Sequence, residues 1–254
     1  GCASASRCSC MREVARQWAD GTELRRQVLA LLALGNMRDP AAWARAKVLI
    51  EDEHPVRSVA ALRCMLLLKP AAALTLVIPL IARRTDWSPV RIAIFLREAG
   101  AELSGTHLAM AAADMPPPEA GRLLKYLAAI GSEHALPTIR KILATTQEPN
   151  LIAACLPLLR NADDMSFARQ FIDHPSWFVR VQAIVALGKH GKMGDEGLLI
   201  PLLADSQWWV RYRAAQALAG MTHLGEGWMR ALHADLTDRY ARDIVGQALA
   251  EFYR

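Results

Sequence analysis

Apolar residues recur along this chain at helical spacing, and the runs are cut at intervals by Gly, Pro and Asp. Over 176–188, Val179, Ala183, Ile184 and Leu187 fall at i, i+4, i+5 and i+8, one face of a helix. Pro175 cannot extend the preceding helix, and Ser176 can cap the next by accepting a backbone N–H. Gly188 or Gly191 is placed to end that helix in a left-handed conformation. Gly35, Gly100, Gly131 and Gly220 repeat this punctuation, and Lys69-Pro70 does the same job once. The pattern predicts paired helices at 39–49/55–68, 70–83/88–99, 103–113/117–130, 132–144/149–160, 163–172/176–188, 196–203/207–220 and 226–235/238–253. An eighth pair is expected at 11–18/22–34. The longest apolar stretch, Cys64 to Ala82, is divided by Lys69-Pro70 and again by Pro79. It reads as two short buried helices and not as a membrane span.

The pairs resemble one another. HPSWFVRVQAIVALGKHG (174–191) and DSQWWVRYRAAQALAGM (205–221) align on a Val-Arg pair preceded by two aromatics. Weaker copies start at His54, Ser88 and Arg239, and degenerate ones occupy 117–131 and 148–161. A lone helical hairpin has two apolar faces and cannot bury both, so neighbouring hairpins must stack. Ala60, Ala183, Ala186, Ala214, Ala215 and Ala217 are small enough to let helices approach to about 8–10 Å.

The unit Asp-x-x-x-(x)-Val-Arg-x-x-Ala occurs at Asp52…Val56-Arg57…Ala60, at Asp86…Val90-Arg91 and at Asp205…Val210-Arg211…Ala214. It resembles the HEAT repeat and is similar to the short bacterial subtype of phycobilin lyase subunits. The resemblance runs from about residue 39 onward, is strongest over 163–221, and loses the Val-Arg pair over 101–160. It implies an all-α fold, a right-handed α-α superhelix (solenoid) of about seven to eight HEAT-like hairpins. The expected organisation is a single domain over 11–254 behind a disordered or expression-derived tail at 1–10.

Composition agrees with a helical globular chain: 53% apolar and only 6% aromatic residues among 254. The formal charge is +5, and it is unevenly spread. Residues 1–50 hold eight basic side chains (Arg7, Arg12, Arg16, Arg25, Arg26, Arg38, Arg45 and Lys47) against four acidic ones. Residues 149–254 hold eleven of each sign. Two readings of the basic start stand: a solvated helix face, or a segment close to anionic lipid behind a membrane anchor. Cys64 and Cys155 lie in apolar runs and read as core residues, whereas Cys2, Cys8 and Cys10 crowd the tail without a histidine to complete a metal site.

Two residue sets are candidates for a role. In HEAT-like arrays the Arg after Val commonly pairs with a turn Asp. The resemblance therefore implies an inter-repeat ladder of Asp52, Arg57, Asp86, Arg91, Asp173, Arg180, Asp205, Arg211 and Arg242. The alternative is a basic stripe for an acidic peptide, a phosphate or a nucleic acid. Trp177, Trp208, Trp209 and Arg213 are the candidate partner-binding residues, since Trp beside Arg is the usual composition of a binding hot spot. Burial of the tryptophans under a neighbouring turn is the other reading.

No catalytic residue, cofactor or metal site is expected, because the seven histidines are scattered and no nucleophile elbow or phosphate loop is present. The sequence therefore predicts a non-enzymatic scaffold for a protein or peptide partner, in the cytoplasm or at the inner face of the membrane. Nucleic acid and a small-molecule substrate are not expected. A DNA glycosylase of the alkylpurine type, or a lyase-type cofactor-attachment subunit, is the alternative that the HEAT-like resemblance brings with it.

Overall fold

Helix starts along the chain are set by proline and by a polar side chain just ahead of it. His54 Nδ1 accepts from the Val56 amide before Pro55, and Glu148 accepts from the Asn150 amide before Pro149. Asp238 accepts from the Ala241 amide at 2.7 Å. Proline fits the first turn because its missing N–H has no partner there to lose. In a computed structural model the backbone is described for residues 2–253 and the side chains from residue 9 onward. Cys2, Arg7 and Cys8, and most of the tail expected at 1–10, fall on side chains outside the described residues. Among the described residues all regular structure is helical, and no helix is long and apolar enough to cross a membrane.

The chain divides into two units, Gly1–Ala135 and Leu136–Arg254. The first contains α1 (Cys2–Asp20), α2 (Leu24–Asn36), α3 (Ala42–Leu49) and α4 (Pro55–Leu68), then α5 (Pro70–Arg83), α6 (Pro89–Glu98), α7 (Ala101–Asp114) and α8 (Pro117–Ile130). Its second helices lie side by side in the order α2, α4, α6, α8. Leu31, Leu34, Leu62, Met65, Leu74, Ile92, Leu108 and Leu123 are fully buried between the layers. Each such side chain stabilises the fold by about 1.5–3 kcal/mol.

The second unit contains α9 (Leu136–Thr145), α10 (Pro149–Cys155), α11 (Met165–Gln170), α12 (Trp177–His190), α13 (Glu196–Leu199), α14 (Trp208–Gly220), α15 (Gly225–Asp235) and α16 (Arg239–Phe252). A 3-10 turn, Leu156–Leu158, extends α10, and another, Ile200–Ala204, extends α13. Here α10, α12, α14 and α16 form the row of second helices, each paired with the helix before it. Val179, Ile184, Leu187, Val210, Leu218 and Val245 fill the space between.

Several local expectations are corrected. Pro79 does not break its helix, since α5 carries it inside. Gly35 and Gly188 do not end helices but sit within them, at helix crossings. A Cβ on Gly188 would stand 2.7 Å from Ala217 Cβ, so this contact of α12 with α14 requires glycine for space. Gly191 follows α12 with φ −65°, not the left-handed value, whereas Gly131 does end α8 at φ 74°.

The Val-Arg pair is also not one structural position. Val179 and Val210 are fully buried, but Val56 is exposed and Val90 is 72% exposed. Pro55 and Pro89 start their helices one residue closer to the valine than Trp177 and Trp208 do. The valine is therefore rotated by about 100° away from the buried face.

Candidate functional site

The expected ladder exists only in pieces. In the first unit Arg57 pairs with Asp52 of its own turn at 2.6 Å. The link between successive turns is made by Arg84 and not by Arg91. Arg84 grips Asp86 at 2.6 Å and donates to the Asp52 carbonyl at 2.7 Å and the Glu53 carbonyl at 3.2 Å. Arg91 faces outward, for the reason that exposes Val90 beside it. Hydrogen bonds from Arg57 and the His54 amide hold the Asp52 carboxyl below its ordinary range, and Arg84 does the same for Asp86.

In the second unit Arg180 reaches forward to both oxygens of Asp205 at 2.9 Å and back to the His174 carbonyl at 2.8 Å. Asp173, expected as its partner, stays exposed. Arg211 donates to the Asp205 carbonyl at 2.7 Å, and Arg242 donates to the Leu236 carbonyl at 2.6 Å. Both therefore tie down turn backbone and not a carboxylate.

A second ladder joins the first helices, and sequence reasoning missed it. Arg16 holds Asp39, Arg140 holds Asp164 and Arg169 holds Asp195, at 2.9, 2.6 and 2.7 Å. All three aspartates are buried, each at the start of the next first helix of its own unit. The available signal was an Arg recurring 23 to 26 residues ahead of an Asp.

The tryptophans lie at the starts of α12 and α14, ahead of the first buried valine in each, and all three are exposed. Trp208 packs edge-on against Trp209 at 4.7 Å between ring centres, and stacks on Tyr212 at 5.0 Å. Trp177 meets Phe178 edge to face at 6.0 Å. Tyr240, at the equivalent start of α16, lies beneath the Arg211 guanidinium at 5.5 Å and is exposed. Tyr212 and Tyr240 were not singled out from sequence, although Tyr212 follows Trp208 at i+4.

Arg213 lies against the Tyr212 ring at 5.9 Å and donates to Gln216 Oε1 at 2.8 Å. Gln216 in turn donates to Tyr212 Oη at 2.7 Å. The result is a row of rings along the starts of three adjacent helices, with fixed cationic and amide groups beside it. Such a surface offers apolar contact area and oriented donors together.

No family profile and no curated protein matches the sequence. Among solved structures, the chain is similar to human deoxyhypusine hydroxylase in complex with glycerol: 16% identity over 99% of both chains, TM-score 0.34. It is also similar to the complex of CpcE and CpcF of phycocyanin lyase from Nostoc sp. PCC7120. That identity is 20% over 96% of this chain and 88% of that one, TM-score 0.31.

The expectation that the chain is not an enzyme is corrected by these comparisons, since one structure is an enzyme and the other is a complex of lyase subunits. Stacked helical hairpins host chemistry as well as binding, so the architecture gives no ground for excluding catalysis.

Proposed function

We propose that the protein binds a protein or peptide partner through the aromatic row of its second unit. One observation carries this reading: Trp177, Trp208, Trp209 and Tyr240 all stand exposed at the starts of α12, α14 and α16. Large rings left in water on adjacent helices are unusual unless something covers them, and Trp, Tyr and Arg are the residues that dominate binding energies. The fixed contacts of Tyr212, Arg213 and Gln216 hold the row in place before binding, which lowers the ordering cost of association.

In this reading Arg57, Arg84, Arg180, Arg211 and Arg242 keep the turns in register and do not touch the partner. The chain as a whole is read as an array of seven to eight HEAT-like hairpins.

The test is affinity capture from the native host, followed by affinity measurement on the purified partner with the native chain and with Trp209→Ala. Truncating a central ring should weaken binding by at least about 2 kcal/mol while the far-ultraviolet circular dichroism stays unchanged. Equal affinity for Trp209→Ala, Trp208→Ala and Trp177→Ala would sink the proposal.

A further inference from the structure

The second helices of the Leu136–Arg254 unit also form a groove away from the aromatic row. Its larger part, about 550 Å³, lies across α12, α14 and α16, on a floor of Val185, Ala217 and Phe252. Its smaller part, about 270 Å³, continues to the end of α10 and shares Val185, Lys189 and His190. The charged and titratable lining residues are Arg160, Lys189, His190 and Arg213, and no Asp or Glu lines either part. Among the described residues, Arg160, Lys189 and Arg213 enter no ion pair with a carboxylate, and the Arg213 hydrogen bond goes to the neutral Gln216 amide. Glu251, which Gln216 reaches at 3.3 Å, is engaged by Tyr212 and Gln247.

The bland account is that cations favour the C-terminal end of a helix. That account covers Lys189 and His190 in the last turn of α12, but not Arg160 or Arg213, which come from other elements. Four basic side chains from three successive second-helix segments therefore converge on one apolar floor. His190 reports the resulting field: burial, then Lys189, then Arg160 hold its pKa below the usual value.

The groove is continuous with the aromatic row. Trp208, Tyr212, Gln216 and Gly220 follow one another at i+4 along α14, and the last two line the groove.

We propose that this groove takes an acidic peptide segment, with carboxylates on Arg160, Lys189 and Arg213 and an apolar side chain seated on Val185, Ala217 and Phe252. The charge of the lining selects the sign of the occupant. A lone phosphate or carboxylate ion would leave most of the volume empty, whereas a peptide with an apolar residue fills it. Nucleic acid is the poorer fit, because residues 149–254 carry eleven charges of each sign and Phe252 is the one ring lining the groove. The proposal rests on reading this face of α14 as the partner-binding face.

Fluorescence anisotropy of a labelled peptide of alternating Glu and Leu, titrated with the full chain, tests it directly. The probe should bind, should lose affinity as salt rises, and should outcompete both the same peptide with Lys in place of Glu and a single-stranded oligothymidylate. The double variant Lys189→Glu with Arg213→Glu should weaken binding by about tenfold or more, and Arg160→Gln by a few-fold. Lys141→Glu, an exposed residue of α9 outside the lining, should change nothing.

Should the double variant lose helicity, Lys189→Glu alone decides, because Lys189 is exposed and its reversal leaves the core intact. Equal affinity for the Glu and Lys peptides, an unchanged affinity on charge reversal, or preference for the oligonucleotide overturns the proposal. Trp209→Ala separates the two readings. Partner capture lost in that variant, with the Glu peptide indifferent to groove charge, removes the groove and keeps the ridge.

Discussion

Arg169 donates 2.7 and 2.9 Å hydrogen bonds to the two carboxylate oxygens of Asp195, joining α11 to the start of the next first helix. The Lys192 amide adds a third, at 2.8 Å. Burial works to raise the Asp195 pKa, but the guanidinium and that amide outweigh it and hold the carboxyl below its ordinary range. A planar fork on a carboxylate is the strongest form such a tie takes. Asp195 is only 4% exposed, so it cannot turn to water instead.

Arg169→Ala strands that buried charge and should lower stability by about 3 kcal/mol, read as an earlier urea midpoint. The pH dependence follows from the sign of the shift. With the folded pKa below the unfolded one, this stabilisation is present above the ordinary carboxylate range and is lost as pH falls through the folded value. Arg169→Ala should therefore move the acid-unfolding midpoint to higher pH, and Arg169→Leu with Asp195→Leu should restore part of the loss. A single variant that unfolds like the native chain would show that the ladder contributes nothing.

Trp209 and Val210 are adjacent in sequence and opposite in environment: Trp209 is 51% exposed and Val210 is fully buried. Trp209→Ala should shift stability by no more than about 0.5 kcal/mol, since surface changes rarely do more. Val210→Ala removes buried methyl groups and should cost about 1–3 kcal/mol. Thermal melts of the two variants check the assignment of ridge and core, and equal losses would contradict it.

Much of this was legible in the chain. Pro55, Pro89, Pro117 and Pro149 mark helix starts because proline loses nothing in a first turn, and the predicted 55–68 and 117–130 helices are α4 and α8. Anchoring the repeats on Val-Arg misled, because one residue more or less between the cap and the valine turns a core position into a surface one. Val90 and Val210 are identical as letters and opposite in burial. Arg84 makes the turn-to-turn tie that Arg91 was expected to make, since the choice depends on which guanidinium the turn can reach. The glycines misled similarly: Gly188 is needed by Ala217 on the neighbouring helix, a contact 29 residues away that no local pattern announces.

That contact gives its own prediction. Gly188→Ala places a methyl where Ala217 Cβ is already 2.7 Å away, and Ala217 Cα and the helix behind it stand at 3.0 Å. Backbone cannot swing aside as a long side chain can, so α12 and α14 must separate, which should cost about 1–3 kcal/mol. Outside a crossing, Gly to Ala within a helix is stabilising by up to about 1 kcal/mol, so even the sign is diagnostic. Ala217→Gly in the same chain should recover most of the loss. A coupling near zero in that double-mutant cycle would mean that the two helices do not meet here.

The cysteines give a readout of the core that needs no mutation. Cys64 and Cys155 are buried, and burial pushes both thiols up to about 12, with the Asp39 charge adding to the effect at Cys64. Cys10 is exposed on α1. The thiolate is the reactive species, and a thiol shifted that far is ionised to roughly one part in ten thousand at about pH 8. Iodoacetamide should therefore label Cys10 in the native protein within minutes and leave Cys64 and Cys155 untouched, as read by peptide mass spectrometry. Adding urea should bring both buried thiols into reaction together with the loss of helical ellipticity in their own unit. Cys64 is the more informative, because its Cα lies 3.1 Å from where a Cβ on Gly35 would stand, at the crossing of α2 and α4. Native labelling of Cys64 at the rate of Cys10 would mean that α2 and α4 are not packed as described.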